Sequence, residues 1–251
     1  MIGVFDSGVG GLTVLRSLRK ELPSCDVIYF GDIKNAPYGT KSREELSALT
    51  VAGLTLLRER GAHRIISACN SVSASLAISL YDAFSLKQDE LVEMVGPTVS
   101  FFRGREECVA VCATPATIAS DIYGNAFRMI GKEVQSIVIP ELAGAIEFGA
   151  SGQDVEHIVA DALKGKKGFD VLILGCTHYP LAIHSFKKVL GDSVTLFDPA
   201  EEVAHRAKKL FWPQEVGDGR MQFFISKESA RFRALLGELF PGQTYTVEVL
   251  P

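Results

Sequence analysis

DVLILGCTHYP (residues 170–180) runs four aliphatic residues into a glycine and then sets Cys176, Thr177 and His178 side by side ahead of a proline. A short apolar run closed by small and polar residues reads as a buried strand whose carboxyl end opens into a loop. In open α/β sheets, ligand contacts gather at that end of a strand. A lone cysteine there is equally a small buried hydrophobe, and a lone histidine a satisfied loop residue. The pair acquires meaning only through its surroundings.

Those surroundings repeat. ISACNSVSAS (66–75) also carries an aliphatic run into a cysteine, Cys69, followed by Asn70, Ser71 and a helix of small residues. Asp6 closes the run IGVF and lies 63 residues before Cys69; Ala113 closes VAVC and lies 63 residues before Cys176. The offset between the two pairs is 107 residues in both cases. Two cysteines therefore hold equivalent strand ends in two copies of one α/β unit.

The rest of the chain agrees. IGVF, DVIYF, RIIS and LVEMVG alternate with helical segments at 11–21, 42–60, 71–85 and 97–103. CVAVCA, VQSIVI and DVLILG then alternate with 115–131, 141–149, 154–164 and 181–190. Strict alternation predicts mainly parallel sheets covered by helices. A helix at 200–211, the run MQFFIS, a helix at 228–239 and YTVEVL complete the pattern, with no Pro/Gly/Ser-rich linker between the halves. The expected fold is α/β, with two pseudo-symmetric domains packed together and a site in the cleft between them. The expected boundaries are 1–92 plus 200–251 for the first domain and 93–199 for the second.

Composition narrows the partners. A net charge of −4, with no clustered Lys/Arg run, argues against a nucleic-acid surface. Five cysteines, an odd number without a CxxC pair, suggest reduced thiols in a cytosol and offer no zinc-binding set. The amino-terminal stretch meets Asp6 before any long apolar segment, so neither a secretory signal nor a membrane anchor is expected.

Domains facing one another across a pseudo-twofold axis would present Cys69 and Cys176 from opposite walls of one cleft. That arrangement suits inversion of a carbon stereocentre, in which one group removes a proton from one face and another returns a proton to the opposite face. A thiol pKa of about 8.5 would have to be lowered for one cysteine to wait as thiolate, and a helix N-terminus or His178 as a cation would do this.

Other motifs supply the remaining candidates. VFDSGVGGLTVL (4–15) carries glycines in a strand-to-helix turn, but it has no Lys-Ser/Thr, and Thr13 stands where a dinucleotide loop needs its third glycine. Asp6 and Ser7 are either helix caps or cleft residues; in the second case Asp6 engages the substrate ammonium or orients a proton acceptor, while Ser7 and the turn's N–H groups hold a carboxylate. In GDIKNAPYGTKS (31–42), Gly39 permits close approach to an anion beneath the Tyr38 phenol. Asp32 and Lys34 read as ordinary loop charges. Thr114 and Thr117 offer hydroxyls at the counterpart of the first motif, or caps. Of Glu141 and Glu147, the second follows an apolar helical face toward the cleft. His63, His157, His184 and His205 read as solvent-facing residues without partners.

GVFDSGVGGLTV, YFGD followed by PYGTKS, ACNS, AT.ATI.S..Y and LGCTHYPL together resemble the successive signatures of bacterial glutamate racemases, in the same order across residues 2–181. The resemblance implies interconversion of L- and D-glutamate for peptidoglycan without metal, flavin or pyridoxal phosphate. It implies that Cys69 acts on the D enantiomer and Cys176 on the L enantiomer, with Asp6, His178 and Glu147 assisting. It also implies substrate contacts from Asp6, Ser7, Tyr38, Gly39, Asn70, Ser71, Thr114, Thr117, Thr177 and His178. The expected partner is the small-molecule substrate, with neither nucleic acid nor membrane, in the cytoplasm; the resemblance leaves room for a homodimer. Ser71 and Val72 stand where the family usually has Thr and Ala, AGAIEFG replaces VPLVEEG, and DIKNAPYG replaces DTARxPYG. Rival readings are an aspartate or hydantoin racemase or a maleate isomerase on the same scaffold, an amino-acid-binding protein of two lobes, and a Cys176–His178 hydrolase.

Overall fold

A computed structural model describes residues 1–75, 87 and 89–251. The central runs Ile2–Asp6, Val27–Gly31, Arg64–Ser67, Val109–Ala113 and Val171–Leu174 form strands because they are buried on both faces, where branched side chains pack against helices. Strands β1 (Ile2–Asp6), β2 (Val27–Gly31), β3 (Arg64–Ser67) and β4 (Leu91–Val92) are followed by β5 (Val109–Ala113), β6 (Val134–Val138), β7 (Val171–Leu174) and β8 (Thr195–Phe197); β9 (Met221–Ile225) and β10 (Tyr245–Val249) come last. They make two sheets, ordered β10-β9-β2-β1-β3-β4 and β6-β5-β7-β8, and every pairing in both is parallel. Each sheet with its helices forms one lobe.

The repeat extends to the register. Ile2 lies opposite Val27 on one side and Arg64 on the other; Val109 lies opposite Val134 and Val171. Each of the three residues in the second set follows its counterpart by 107 positions. The match ends at the flanking strands, since Ile65 faces Leu91 whereas Leu172 faces Leu196.

The returning chain closes the first lobe. The helix Ala200–Phe211 buries Val203, Ala207 and Phe211 in the same core as Leu15 and Leu18 of the helix Leu12–Glu21, and β9 then pairs with β2. Phe223 anchors this junction, with its ring within 5.9 Å of Tyr29, Phe232 and Tyr245.

Two local readings need correction, and one strand went unread. The segment 115–131 is two helices, Pro115–Ala119 and Ile122–Met129, because Asp121 takes a left-handed φ of 52° between them. The run LVEMVG stays a strand only through Val92. Glu93 then turns its carboxylate back onto the N–H groups of Val95 and Gly96, starting the helix Val95–Phe101 early. β8, three residues long and half exposed, has too little pattern to be read from sequence. The helix expected at 71–85 is seen as Asn70–Ser75, and its remainder lies outside the described residues. Among the described residues no helix is long and apolar enough to cross a membrane.

Candidate active site

The carboxyl ends of β1 and β3 in one lobe face those of β5 and β7 in the other, so the four central strands deliver their loops to a single cleft. Cys69 and Cys176 both line it, together with Ser7, Tyr38, Gly39, Asn70, Ser71, Thr114, Thr177 and His178. Asp6, Thr117 and Glu147 are buried immediately behind that wall. Two lining residues, Pro37 and Ala143, escaped the sequence reading. Only about 10 Å³ remains open, room for one water-sized sphere, so the lobes are closed upon each other.

Glycines make this closeness feasible. A Cβ on Gly8 would overlap the Glu147 carboxylate, and one on Gly10 would lie 2.5 Å from Thr177 Oγ1 and 2.7 Å from His178 Nδ1. The glycine-rich turn is thus the surface on which the second lobe rests. Thr13, the residue that spoiled the nucleotide-loop pattern, donates to the Gly10 carbonyl at 2.9 Å and reaches the Thr177 carbonyl at 3.4 Å. At Gly39 a Cβ would lie 2.5 Å from Thr114 Cβ.

On the Cys176 side, Sγ lies 3.7 Å from His178 Nδ1, and His178 Nε2 lies 2.6 Å from Glu147 Oε2. The same carboxylate oxygen accepts the Val9 N–H at 2.9 Å. Burial works against a charged imidazole, but the bonds to Cys176 and Glu147 outweigh it and lift the His178 pKa well above its ordinary value. With a partner at each ring nitrogen, the imidazolium can donate both to Cys176 and to Glu147.

The Cys69 side is electrostatically opposite. Its Sγ lies 3.8 Å from Ser7 Oγ, and burial, reinforced by the Asp6 carboxylate, pushes the thiol up to about 12. Cys69 is thus the cysteine that stays protonated: the Val72 N–H at the following helix start opposes the rise but does not overcome desolvation. Asp6 is itself held above the usual carboxylate range by burial, against the opposing influences of His178 and the Gly11 and Gly8 N–H groups. It accepts the Gly8 N–H at 2.9 Å and the Thr177 hydroxyl at 3.1 Å. The expectation that the turn's N–H groups hold a substrate carboxylate is corrected for two of them, since Gly8 is taken by Asp6 and Val9 by Glu147.

The rest of the wall is uncharged. Ser71, Thr114 and Thr117 form a triangle of hydroxyls 3.1–3.3 Å apart, joining the lobes. Asp32, read as an ordinary loop charge, is instead buried: it accepts the Tyr38 phenol at 2.5 Å, the Ser226 hydroxyl at 2.7 Å and the Asn35 amide. Tyr38 consequently lines the cleft with its ring while its hydroxyl points to Asp32. The sequence signal was present in DIKNAPYG, but nothing local says that Ser226 arrives from the far end of the chain. Glu141, His63, His157 and His184 are exposed, while His205, expected to be unpaired, meets Glu21 and Glu202.

A protein-family model described as Asp/Glu/Hydantoin racemase matches residues 11–207. The chain is 34% identical over 264 residues to "Glutamate racemase 3" of Caldanaerobacter subterraneus subsp. tengcongensis, an alignment covering 99% of this chain and 94% of that protein. Among solved structures, glutamate racemase isoform RacE1 from Bacillus anthracis superposes with a TM-score of 0.89 at 29% identity, covering 100% of this chain and 97% of that one. The glutamate racemase from Francisella tularensis subsp. tularensis, solved in complex with D-glutamate, gives 0.87 at 32% identity with the same coverage.

Proposed function

The chain belongs to the Asp/Glu/hydantoin racemase family, and we propose that it interconverts L- and D-glutamate by two-thiol proton transfer. One observation carries this reading: Cys69 and Cys176 reach the same closed cleft from the strand ends of separate sheets.

The electrostatics support a direction for the resting state. Cys69, buried beside Asp6, waits as the thiol, and Cys176, 3.7 Å from the His178 ring, is the base toward L-glutamate. Cys176 takes the α-proton of L-glutamate, the electron pair of the broken C–H bond passes into the carboxylate as an enediolate-like anion, and Cys69 returns its own proton to the opposite face. D-glutamate leaves with the protonation states of the two sulfurs exchanged, ready for the reverse turnover. Asp6 and His178 assist their respective thiols, and Glu147 holds His178.

Removing a proton beside a carboxylate is difficult, so donors must meet the developing charge in a site that excludes water. N–H donors of Asn70, Ser71 and Thr177, all residues of the cleft wall, support that role. With only about 10 Å³ open, the lobes must part to admit a five-carbon diacid and close again over it. We take residues 1–92 with 200–251 as one domain and 93–199 as the other; the membership of the two sheets supports this division. A cytoplasmic setting and a supply of D-glutamate for peptidoglycan belong to the same reading.

Purified, metal-free protein incubated with L-glutamate in deuterium oxide is expected to lose optical rotation and to gain α-deuterium. Cys69→Ser is expected to slow racemisation by about 10²–10⁴-fold, the usual worth of a positioned acid or base. An undiminished rate in that variant would refute the two-thiol reading. Aspartate in the same assay tests chain length, since one methylene is worth only about 1–3 kcal/mol.

A further inference from the structure

We propose that Tyr123 is a positioning residue, whose phenol reaches across from the second lobe to fix the Asn70 amide with its NH₂ group facing the cleft. This role rests on the racemase reading and adds to it a residue that never touches the substrate.

The two ends of an Asn amide have nearly the same shape and differ in what they can bond. Asn70 lies at the start of the helix after Cys69, is 2% exposed and forms part of the cleft wall. Its Oδ1 accepts the Tyr123 hydroxyl at 2.7 Å. Its Nδ2 is buried and has no partner among the described residues. An unsatisfied buried donor costs about 1–3 kcal/mol, and a substrate carboxylate, which only accepts hydrogen bonds, would relieve that cost. If the amide were turned over, its carbonyl would face the same carboxylate and repel it.

Tyr123 is suited to enforce the orientation. It is buried on the helix Ile122–Met129, and burial, with the Glu93 carboxylate nearby, keeps its phenol protonated and hence a donor. Asn70 belongs to the first lobe and Tyr123 to the second, so the orientation is set by contact between lobes. When the lobes part, the amide is released to turn and hydrate; when they close, the donor is assembled together with the two thiols.

The test is a double-mutant cycle of Tyr123→Phe and Asn70→Ala, with racemisation measured in both directions and melting temperatures recorded. Tyr123→Phe should lower kcat/KM by about 10–100-fold in both directions, with KM rising, the range expected for a hydrogen bond to a charged group. In the Asn70→Ala background the same change should matter less than about twofold, because the amide that it positions is gone. Asn70→Asp retains the acceptor for Tyr123 but puts an oxygen where the NH₂ stood; it should lose at least about 100-fold in kcat/KM, with some fall in melting temperature because the new carboxyl is buried. Full activity in Tyr123→Phe or in Asn70→Asp, or losses that multiply in the double variant, would overturn the role. An unmodified chain that fails to racemise glutamate would sink the functional reading and this role together, whereas an active chain indifferent to Tyr123→Phe sinks this role alone.

Discussion

Glu147 of the second lobe accepts the backbone N–H of Val9 in the first lobe, through the same oxygen that holds His178. A single carboxylate thus fixes the imidazolium beside Cys176 and fastens it to the glycine-rich turn beside Cys69. The imidazole beside one thiol and the closure of the cleft are linked at one atom.

Glu147→Gln keeps the shape of this joint and removes its charge. The His178 pKa, raised through contacts that include Glu147, should fall back toward its ordinary value. Because His178 then loses its proton at lower pH, the alkaline limb of kcat/KM for L-glutamate is expected to move to lower pH, with a loss of about 10–100-fold at neutral pH. A pH–rate profile superimposable on that of the parent would show that Glu147 does not act through His178.

Gly10→Ala tests the resting surface. Its Cβ would lie 2.5 Å from Thr177 Oγ1 and 2.7 Å from His178 Nδ1, so either the turn or both site residues must shift. A loss of about 1–3 kcal/mol of stability is expected, as for other overpacked interiors, accompanied by a fall in racemisation larger than the stability loss explains. Thermal denaturation and initial rates on one preparation check both.

Cys69 predicts an alkaline weakness of the fold. Its pKa rises from 9.0 to about 12 on folding, so the folded protein holds this proton more tightly than the unfolded chain does. The contribution is fully present below about pH 9 and is lost as pH climbs through about 12, with a slope of up to about 1.4 kcal/mol per unit. Denaturant unfolding at pH 8 and pH 10.5 should show the decline, and Cys69→Ala should lessen it.

Asp32→Ala removes the acceptor of the Tyr38 phenol and of the Ser226 hydroxyl. The buried phenol then lacks its partner, at about 1–3 kcal/mol, and the loop forming this side of the cleft loosens. KM for glutamate is expected to rise several-fold, with a smaller change in kcat, because no proton-transferring group has been touched. Ser226→Ala should have a weaker effect in the same sense, since Asp32 keeps its bond to Tyr38.

Much of the architecture was legible because strand formation is a local matter. The apolar runs ending at Asp6, Ser67, Ala113 and Leu174 are buried on both faces, and their spacing predicted a duplication that the registers of β1 and β5 reproduce. Both cysteines, both groups of flanking polar residues and the permissive glycines could be placed from composition at strand ends. The early helix start at Val95 and the short β8 were not legible, because each depends on one side chain or on three half-exposed residues.

The sequence by itself determined the two parallel sheets, their repeat and the two sulfurs that belong to one site. Only the tertiary structure decided the chemistry of those sulfurs. It made Cys69 a poor acid rather than a ready thiolate, gave the turn's N–H groups to Asp6 and Glu147, buried Asp32 beneath Tyr38 and turned Asn70 by means of Tyr123. Strand patterning follows from neighbours a few residues apart. Protonation and donor direction depend on water being excluded where residues as distant in sequence as Asp6 and Thr177 are pressed together.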